Sequence, residues 1–282
     1  MPGMVINTNV MSLNAQRNLR RTQVPLAISM QRLSSGLRIN SAKDDAAGLA
    51  IATRMDSQTK GLTVAVRNAY DGLSIAQTAE GALDEVISNI QRIREIAVQA
   101  KSGQYGASDV SYMQQEADAL INEVQRTADQ TKFNNIKLFD GNYVKNLHVS
   151  YAASDVGIVI SIGNMSTTVI GGQGSTLSTV LSGGAQQLSN SNSIAISVMD
   201  GSLAVILTEK AKLGAKSNQF EAAVRNIENI IETTQASRSR IVDADFATET
   251  ANMTKALILQ QAGVSVLAQA NTIPQSVLSL LK

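Results

Sequence analysis

MDSQTKGLTVAVRNAYDGLSIAQTAEGALDEVISNIQRIREIAVQA, residues 55–100, contains no proline and repeats its apolar positions every seven residues. Met55, Leu62, Ala69, Ala76, Leu83, Ile90 and Ala97 form one series, with Val66, Leu73 and Ile87 beside it. An α-helix returns such positions to nearly the same side, so the pattern predicts a coiled-coil-like seam. The chain holds three prolines, Pro2, Pro25 and Pro274. Nothing between residues 26 and 273 therefore removes a helix amide or clashes with a preceding turn in the way proline does.

Working outward, SAKDDAAGLAIATRM (41–55) predicts the start of this helix, with Ser41 as cap and Asp44 and Asp45 at the positive end of the dipole. KSGQYG (101–106) predicts its stop: Lys101 suits the negative end, and Gly103 takes the position where a left-handed residue closes a helix. About sixty residues at ~1.5 Å each would make a rod of roughly 90 Å. A second helix is predicted from about 108 to 131, with Val110, Met113, Ala117, Leu120, Ile121, Val124 and Ala128 on one face. A third, from about 193 to 238, repeats Met199, Ile206, Leu213, Phe220 and Ile227, partnered by Ile196, Leu203, Val224 and Ile231. The predicted fold class is mainly α, with long antiparallel rods forming a coiled-coil-like bundle. Residues 141–192 change character, alternating β-branched with small polar residues between Gly157, Gly163, Gly171, Gly172 and Gly174. That pattern predicts a small β-hairpin region in the middle of the chain.

The two ends share a composition. Residues 10–33 place Val10, Leu13, Leu19, Leu26, Met30 and Leu33 at helical spacing, and Pro25 is expected to kink or split that helix. LILQQAGVSVLAQANTIPQSVLSLLK (257–282) holds eleven Leu, Ile or Val residues and one charge, Lys282. Leu259, Ala262, Val266, Leu267, Ile273, Val277 and Leu280 are its candidates for packing. Two such helices can pair, yet one partner covers only part of the apolar surface, while ordering costs entropy at every residue. The ends are thus expected to need neighbouring copies. Contacts between different patches on identical copies are heterologous, and where the rotation does not close they grow into a helical filament.

Composition narrows the function classes. The 282 residues are 44% hydrophobic with a net charge of +1, without the strongly basic face of a nucleic-acid binder. There is no cysteine, which excludes disulfides and thiolate metal sites. The beginning lacks the continuous apolar run of a cleaved secretory signal, and Gln260, Gln261, Ser265, Gln269, Asn271 and Pro274 make the end too polar to span a membrane. Arg17, Arg20, Arg21, Arg32, Arg38 and Lys43 fall in an acid-free stretch; the matching apolar segment at the other end argues against a transit peptide. Catalysis finds little footing. His148 is the lone histidine and reads as a half-exposed sheet residue, GGQG (171–174) lacks the strand-to-helix setting of a phosphate loop, and Asp44/Asp45 are helix-start residues first. Asp243 and Asp245 supply too few ligands for a metal, and the Asn164 and Asn252 sequons are short enough to occur by chance. Neither a metal nor another cofactor is expected.

MVINTNVMSLNAQRNL (4–19), QRLSSGLRINSAKDDAAGLAIATRM (31–55), DGLSIAQTAEGALDEV (71–86) and QRIREIAVQA (91–100) resemble the N-terminal half of bacterial flagellin. SRSRIVDADFATETANMTKALILQQAGVSVLAQANTIPQSVLSLLK (237–282) resembles its C-terminal end. The resemblance implies a structural subunit that self-assembles into the flagellar filament for motility, of a short form lacking large outer domains. It implies that residues 1–43 with 243–282 form the inner tube, packed through Val10, Leu13, Leu19, Leu26, Leu33, Leu259, Val266, Leu267, Ile273, Val277 and Leu280, and that 44–242 form the shell. It further implies unfolded export by the flagellar type III apparatus to the cell exterior without a cleaved signal. The implied partners are other copies of the chain, an export chaperone on the C-terminal helix, and the filament cap and hook-junction proteins. Toll-like receptor 5 is the implied partner of the free monomer, through Gln91, Arg92, Ile96 and Glu116. On a helical wheel Arg92 lies opposite the seam, and Ile96 is expected one turn further on, off the core edge. The competing view of Arg92 and Glu116 is a solvated or filament-packing face. Rival functions are a hook–filament junction protein, a non-polymerising coiled-coil adaptor, or an enzyme.

Overall fold

Helix α2 (Ala46–Ala100) realises the seven-residue repeat over 55 residues. Leu62, Ala69, Ala76, Leu83, Ile90 and Ala97 are all buried along it. The other helices are α1 (Val10–Ser35), α3 (Ala107–Gln130), α4 (Asn192–Val242) and α5 (Phe246–Leu280). Short strands β1 (Lys132–Phe133), β2 (Ile136–Lys137), β3 (Tyr143–Leu147), β4 (Ile158–Ile162), β5 (Gly171–Gly172) and β6 (Ser175–Thr176) lie between α3 and α4. These assignments come from a computed structural model that describes residues 8–152, 157–172, 174–181, 187–188 and 192–280, with Asn192 and residues 273–280 described by their backbone. The chain forms two units, Met1–Thr59 with Glu232–Lys282, and Lys60–Ile231. Their limits fall inside α2 and α4.

In the unit of residues 60–231, α2 and α4 run antiparallel. Arg94 pairs with Asp200 at 2.6 Å and Asp84 with Lys210 at 2.5 Å, so ten residues back along α2 match ten forward along α4. Further along, Phe220 is fully buried against Gly72, where any Cβ would stand 2.6 Å from its Cζ. Glycine is the residue that lets that ring in. Ile75, Leu83, Ile90 and Ile93 of α2 join Ile121 and Val124 of α3, Ile160 of β4, and Met199, Ile206 and Leu213 of α4 in one core.

The β region behaves as its alternation predicts. β3 and β4 pair antiparallel from Tyr143↔Ile162 to Leu147↔Ile158, with Ile158, Ile160 and Ile162 buried and Val159 and Ser161 exposed. Three buried or half-buried polar groups fasten this region to the helices. Gln125 Oε1 accepts from Thr167 N at 3.0 Å and from Thr167 Oγ1 at 2.7 Å. Gln114 donates to the Val180 carbonyl and accepts from Leu188 N. Glu209 accepts from Gly163 N at 2.9 Å.

Several local expectations are corrected. Ser41 does not cap α2: the helix begins at Ala46, Asp45 Oδ1 accepts from Gly48 N, and Ser41 instead donates its hydroxyl to Asp44. Gly103 is not left-handed, and α2 closes through Lys101 N to Ala97 O. The β1–β2 hairpin was not anticipated. Its turn is Asn134-Asn135, both at positive φ (46° and 66°), a conformation asparagine tolerates and a two-residue hairpin requires.

In the other unit, α1 runs unbroken through Pro25. Proline removes one amide there, and the helix tolerates the loss within 26 residues. Asn9 caps the start, accepting from Ser12 N, and Gly36 at φ 71° closes the end. α1 and α5 lie antiparallel: Asn9 Nδ2 donates to the Ala270 carbonyl, and Leu37 bridges Asp243 at the other end. Asp245 caps α5, accepting from Ala247 N at 2.9 Å.

Candidate assembly surface

The α1–α5 pair buries mostly small side chains, with Leu26 and Glu249 the larger exceptions. Ser12, Ala15, Leu26 and Ser29 face inward from α1, and Glu249, Ala256 and Ala270 from α5. Apart from Leu26, few of the large aliphatic groups are buried there. Of the residues expected to pack, Val10 is 66% exposed, Leu13 52%, Leu259 47% and Val266 59%. Leu19, Leu33 and Leu267 are half-buried, and Leu26 is buried between the helices. The side chains of Ile273, Val277 and Leu280 lie outside the described residues.

Val24, Ile28, Ile258 and Val264 belong to the same exposed surface and were missed, because a one-face template was applied. The signal was present: α5 has apolar residues on every side, which in a helix paired with one neighbour leaves most of them uncovered. Two grooves mark the surface. One of about 440 Å³ runs between Met11, Asn14 and Asn18 on α1 and Ser265, Val266 and Gln269 on α5. The other, about 620 Å³, follows Thr250, Ala251, Thr254, Ile258 and Leu259.

Besides the Asn9–Ala270 hydrogen bond at one end, a buried charged link crosses the pair. Glu249, in the first turn of α5, accepts from Arg32 NH1 at 2.7 Å and from Ser29 Oγ at 2.9 Å. Its side chain is 9% exposed. The Arg32 guanidinium, against an opposing burial cost, and then the Ser29 and Asn252 hydrogen bonds hold its carboxyl below the usual range. No repeat or motif in the sequence pointed to this residue.

On the unit of residues 60–231, Gln91, Arg92 and Glu116 are exposed, and Arg92 and Glu116 are brought together. Arg92 Nε and NH2 both donate to Glu116 Oε1, at 3.0 and 2.8 Å, and NH1 donates to Glu95. Glu116 and then Glu95 raise the guanidinium above its ordinary value. Ile96 departs from expectation. It is 1% exposed and lies within the core, not off its edge. The seam alone would leave it outside, but this half of α2 is enclosed by α3, the β region and α4, which widens the buried arc to take in Ile93 and Ile96.

The remaining candidates take structural places. His148 follows the end of β3, half-buried, its carbonyl accepting from Asn68 Nδ2 at 2.9 Å. Asp243 pairs through its backbone, and Asp245 is a helix cap. No helix among the described residues is long and apolar enough to cross a membrane.

Residues 6–144 match the family model described as the bacterial flagellin N-terminal helical region, and residues 196–281 that of the C-terminal helical region. A flagellin of Xenorhabdus nematophila is 40% identical over 311 aligned residues, covering 99% of each chain. Flagellin B of Vibrio cholerae is 34% identical over 371, covering 98% of this chain and 99% of that one. Both alignments exceed the 282 residues present, so both relatives carry residues this chain lacks. The crystal structure of Bacillus cereus flagellin overlays with a TM-score of 0.48 at 21% identity, covering 57% of this chain and 88% of that chain.

Proposed function

The chain belongs to the bacterial flagellin family, as a filament subunit of a short form without large outer domains, and from that premise we propose how it assembles. The terminal segments, residues 1–43 and 243–282, build the inner tube of the filament, and residues 44–242 build the shell around it. The observation that carries this is the inversion at the α1–α5 pair, where mostly small residues are buried and Val10, Leu13, Leu259 and Val266 are exposed. A helix pair that ended its packing there would leave that aliphatic area in water, at a cost that neighbouring copies remove.

The same reading covers the remaining partners. The subunit leaves the cell largely unfolded through the flagellar type III apparatus and functions outside it, in motility. A chaperone holds the C-terminal helix before export, and cap and hook-junction proteins meet the filament at its ends. Gln91, Arg92 and Glu116 form the surface that Toll-like receptor 5 meets on a free subunit, with Ile96 packing beneath. None of these roles asks for a cofactor or a chemical step.

Seeded growth of the purified chain tests the assembly reading. Fibres are expected by negative-stain microscopy from the full chain alone, which a junction protein would not give. The chain lacking residues 257–282 is expected to stay helical and small in sedimentation; long fibres from it would overturn the reading.

A further inference from the structure

Peroxides attack a protein at its sulfur atoms. This chain has no cysteine, so all of its sulfur is in nine methionines. Met1 and Met4 lie outside the described residues, and the other seven are unequally covered. Met165 and Met199 belong to the core of residues 60–231, at 2% and 0% exposure, and Met55, Met113 and Met253 are half-buried. Met11 and Met30 are 65% and 51% exposed. Among the described residues these are the two exposed methionines, and both stand on α1.

Both sit at the rim of the α1–α5 contact. Met11 precedes the inward-facing Ser12, and Met30 follows the inward-facing Ser29. At about 100° per residue they border the inward-facing residues of α1 on opposite sides. Met11 lines the groove that α1 shares with Val266 and Gln269 of α5, and Met30 adjoins the Ser29–Glu249 hydrogen bond. Exposed aliphatic groups stand beside each, Val10 and Leu13 at one end and Ile28 at the other. The two sulfurs thus belong to the surface left for neighbouring copies.

Resting on the filament-subunit reading, we propose that Met11 and Met30 are an oxidation site that gates assembly. Hydrogen peroxide converts both to sulfoxides in a free copy, and the oxidised copy no longer adds to a fibre. In that step the thioether sulfur gives an electron pair to one peroxide oxygen. The S–O bond forms as the O–O bond breaks, and the second oxygen leaves as water. Sulfur is oxidised by two electrons and the peroxide reduced by two. A flexible apolar side chain becomes a polar one. In the free copy water solvates the new oxygen, whereas a neighbour covering this surface strips that water away at a cost in free energy. Met165 and Met199 are shielded, so the core of residues 60–231 outlasts the treatment.

The test treats the free full-length chain with hydrogen peroxide, removes the excess with catalase and follows growth from untreated seeds. Peptide mass mapping is expected to show Met11 and Met30 converting at least about tenfold faster than Met165 and Met199. Growth is expected to fall at least about tenfold from the untreated rate, with helix content by circular dichroism unchanged. The Met11→Leu/Met30→Leu chain, measured against its own untreated rate, is expected to lose less than about twofold. An equal loss in that variant overturns the inference, and so does undiminished wild-type growth after full conversion at both positions. Should the leucine variant not grow untreated, a half-oxidised wild-type pool replaces it. Fibres pelleted from that pool are expected to carry the Met11 and Met30 sulfoxides at no more than about a tenth of the supernatant's level, and equal levels overturn the inference. An untreated wild type that never grows fibres removes the filament reading itself, a result distinct from fibres that grow from fully oxidised copies.

Discussion

Ile90 and Val266 are both aliphatic residues on long helices of one chain. Ile90 is fully buried, in a core shared by three helices and a hairpin, whereas Val266 is 59% exposed on a pair of helices packed through small residues. Hydrophobicity does not separate the two regions; the number of surfaces within reach does. Residues 60–231 supply several layers around α2, which bury its seven-residue series while single residues such as Val64, Val144 and Leu207 stay exposed. The α1–α5 pair supplies one contact per helix, and the rest of its aliphatic surface is left for other molecules.

The widest break in that comparison comes from one substitution on each side. Leu83→Ala removes a fully buried side chain and is expected to cost about 3 kcal/mol of monomer stability in chemical denaturation. Val266→Asp places a charge where water already reaches. It is expected to stop fibre growth while moving the monomer's unfolding midpoint by no more than about 1 °C. A large loss of monomer stability from Val266→Asp would show that the pair is finished within one chain. Val266 is the cleaner probe than Leu267, which is half-buried.

Much of this contrast was legible in the residues. The seven-residue series names the buried stripe of α2, since a long helix with no proline has one way to hide a repeat. The paired apolar ends, and the insufficiency of one partner helix, followed from composition. What was not legible depends on groups far apart in sequence. Ile96 sits off a two-helix seam on paper, and only the enclosing elements bring it inside. Glu249 reads as one acid among Thr and Ala until Arg32 and Ser29 arrive from more than 200 positions away. Pro25 predicts an interruption that α1 does not make, because the cost of one missing amide is local and 26 residues share the helix.

A smaller effect sharpens the comparison from the terminal side. Glu249 has its carboxyl lowered in the folded chain by Arg32 above all, against an ordinary value near ~4.3 when unfolded. A depressed carboxylate contributes stability above its unfolded pKa and loses it as pH falls through the folded one. The α1–α5 contact is therefore expected to hold unchanged from about pH 7 to about pH 5 and to loosen below about pH 4. Amide exchange across residues 246–256 would read the loosening. Glu249→Gln should bring roughly 1–2 kcal/mol of that loss to neutral pH and flatten the acid dependence. An unchanged acid profile in Glu249→Gln would mean that the link does not hold the pair.

The smallest expected stability effect lies on the finished side, four residues from a core position. Arg92 reaches Glu116 and Glu95 through side chains about half exposed, where water and salt screen the attraction. Arg92→Ala is expected to leave the unfolding midpoint within about 1 °C of the wild type, whereas Ile96→Ala opens a cavity and is expected to cost about 3 kcal/mol. If Gln91, Arg92 and Glu116 form the receptor surface, Arg92→Ala weakens binding of the free monomer to the ectodomain of Toll-like receptor 5 at least about tenfold with its fold intact. A variant that loses stability and keeps full receptor affinity would place Arg92 with the packing of residues 60–231. The receptor contact would then have to be sought on another face of the free subunit.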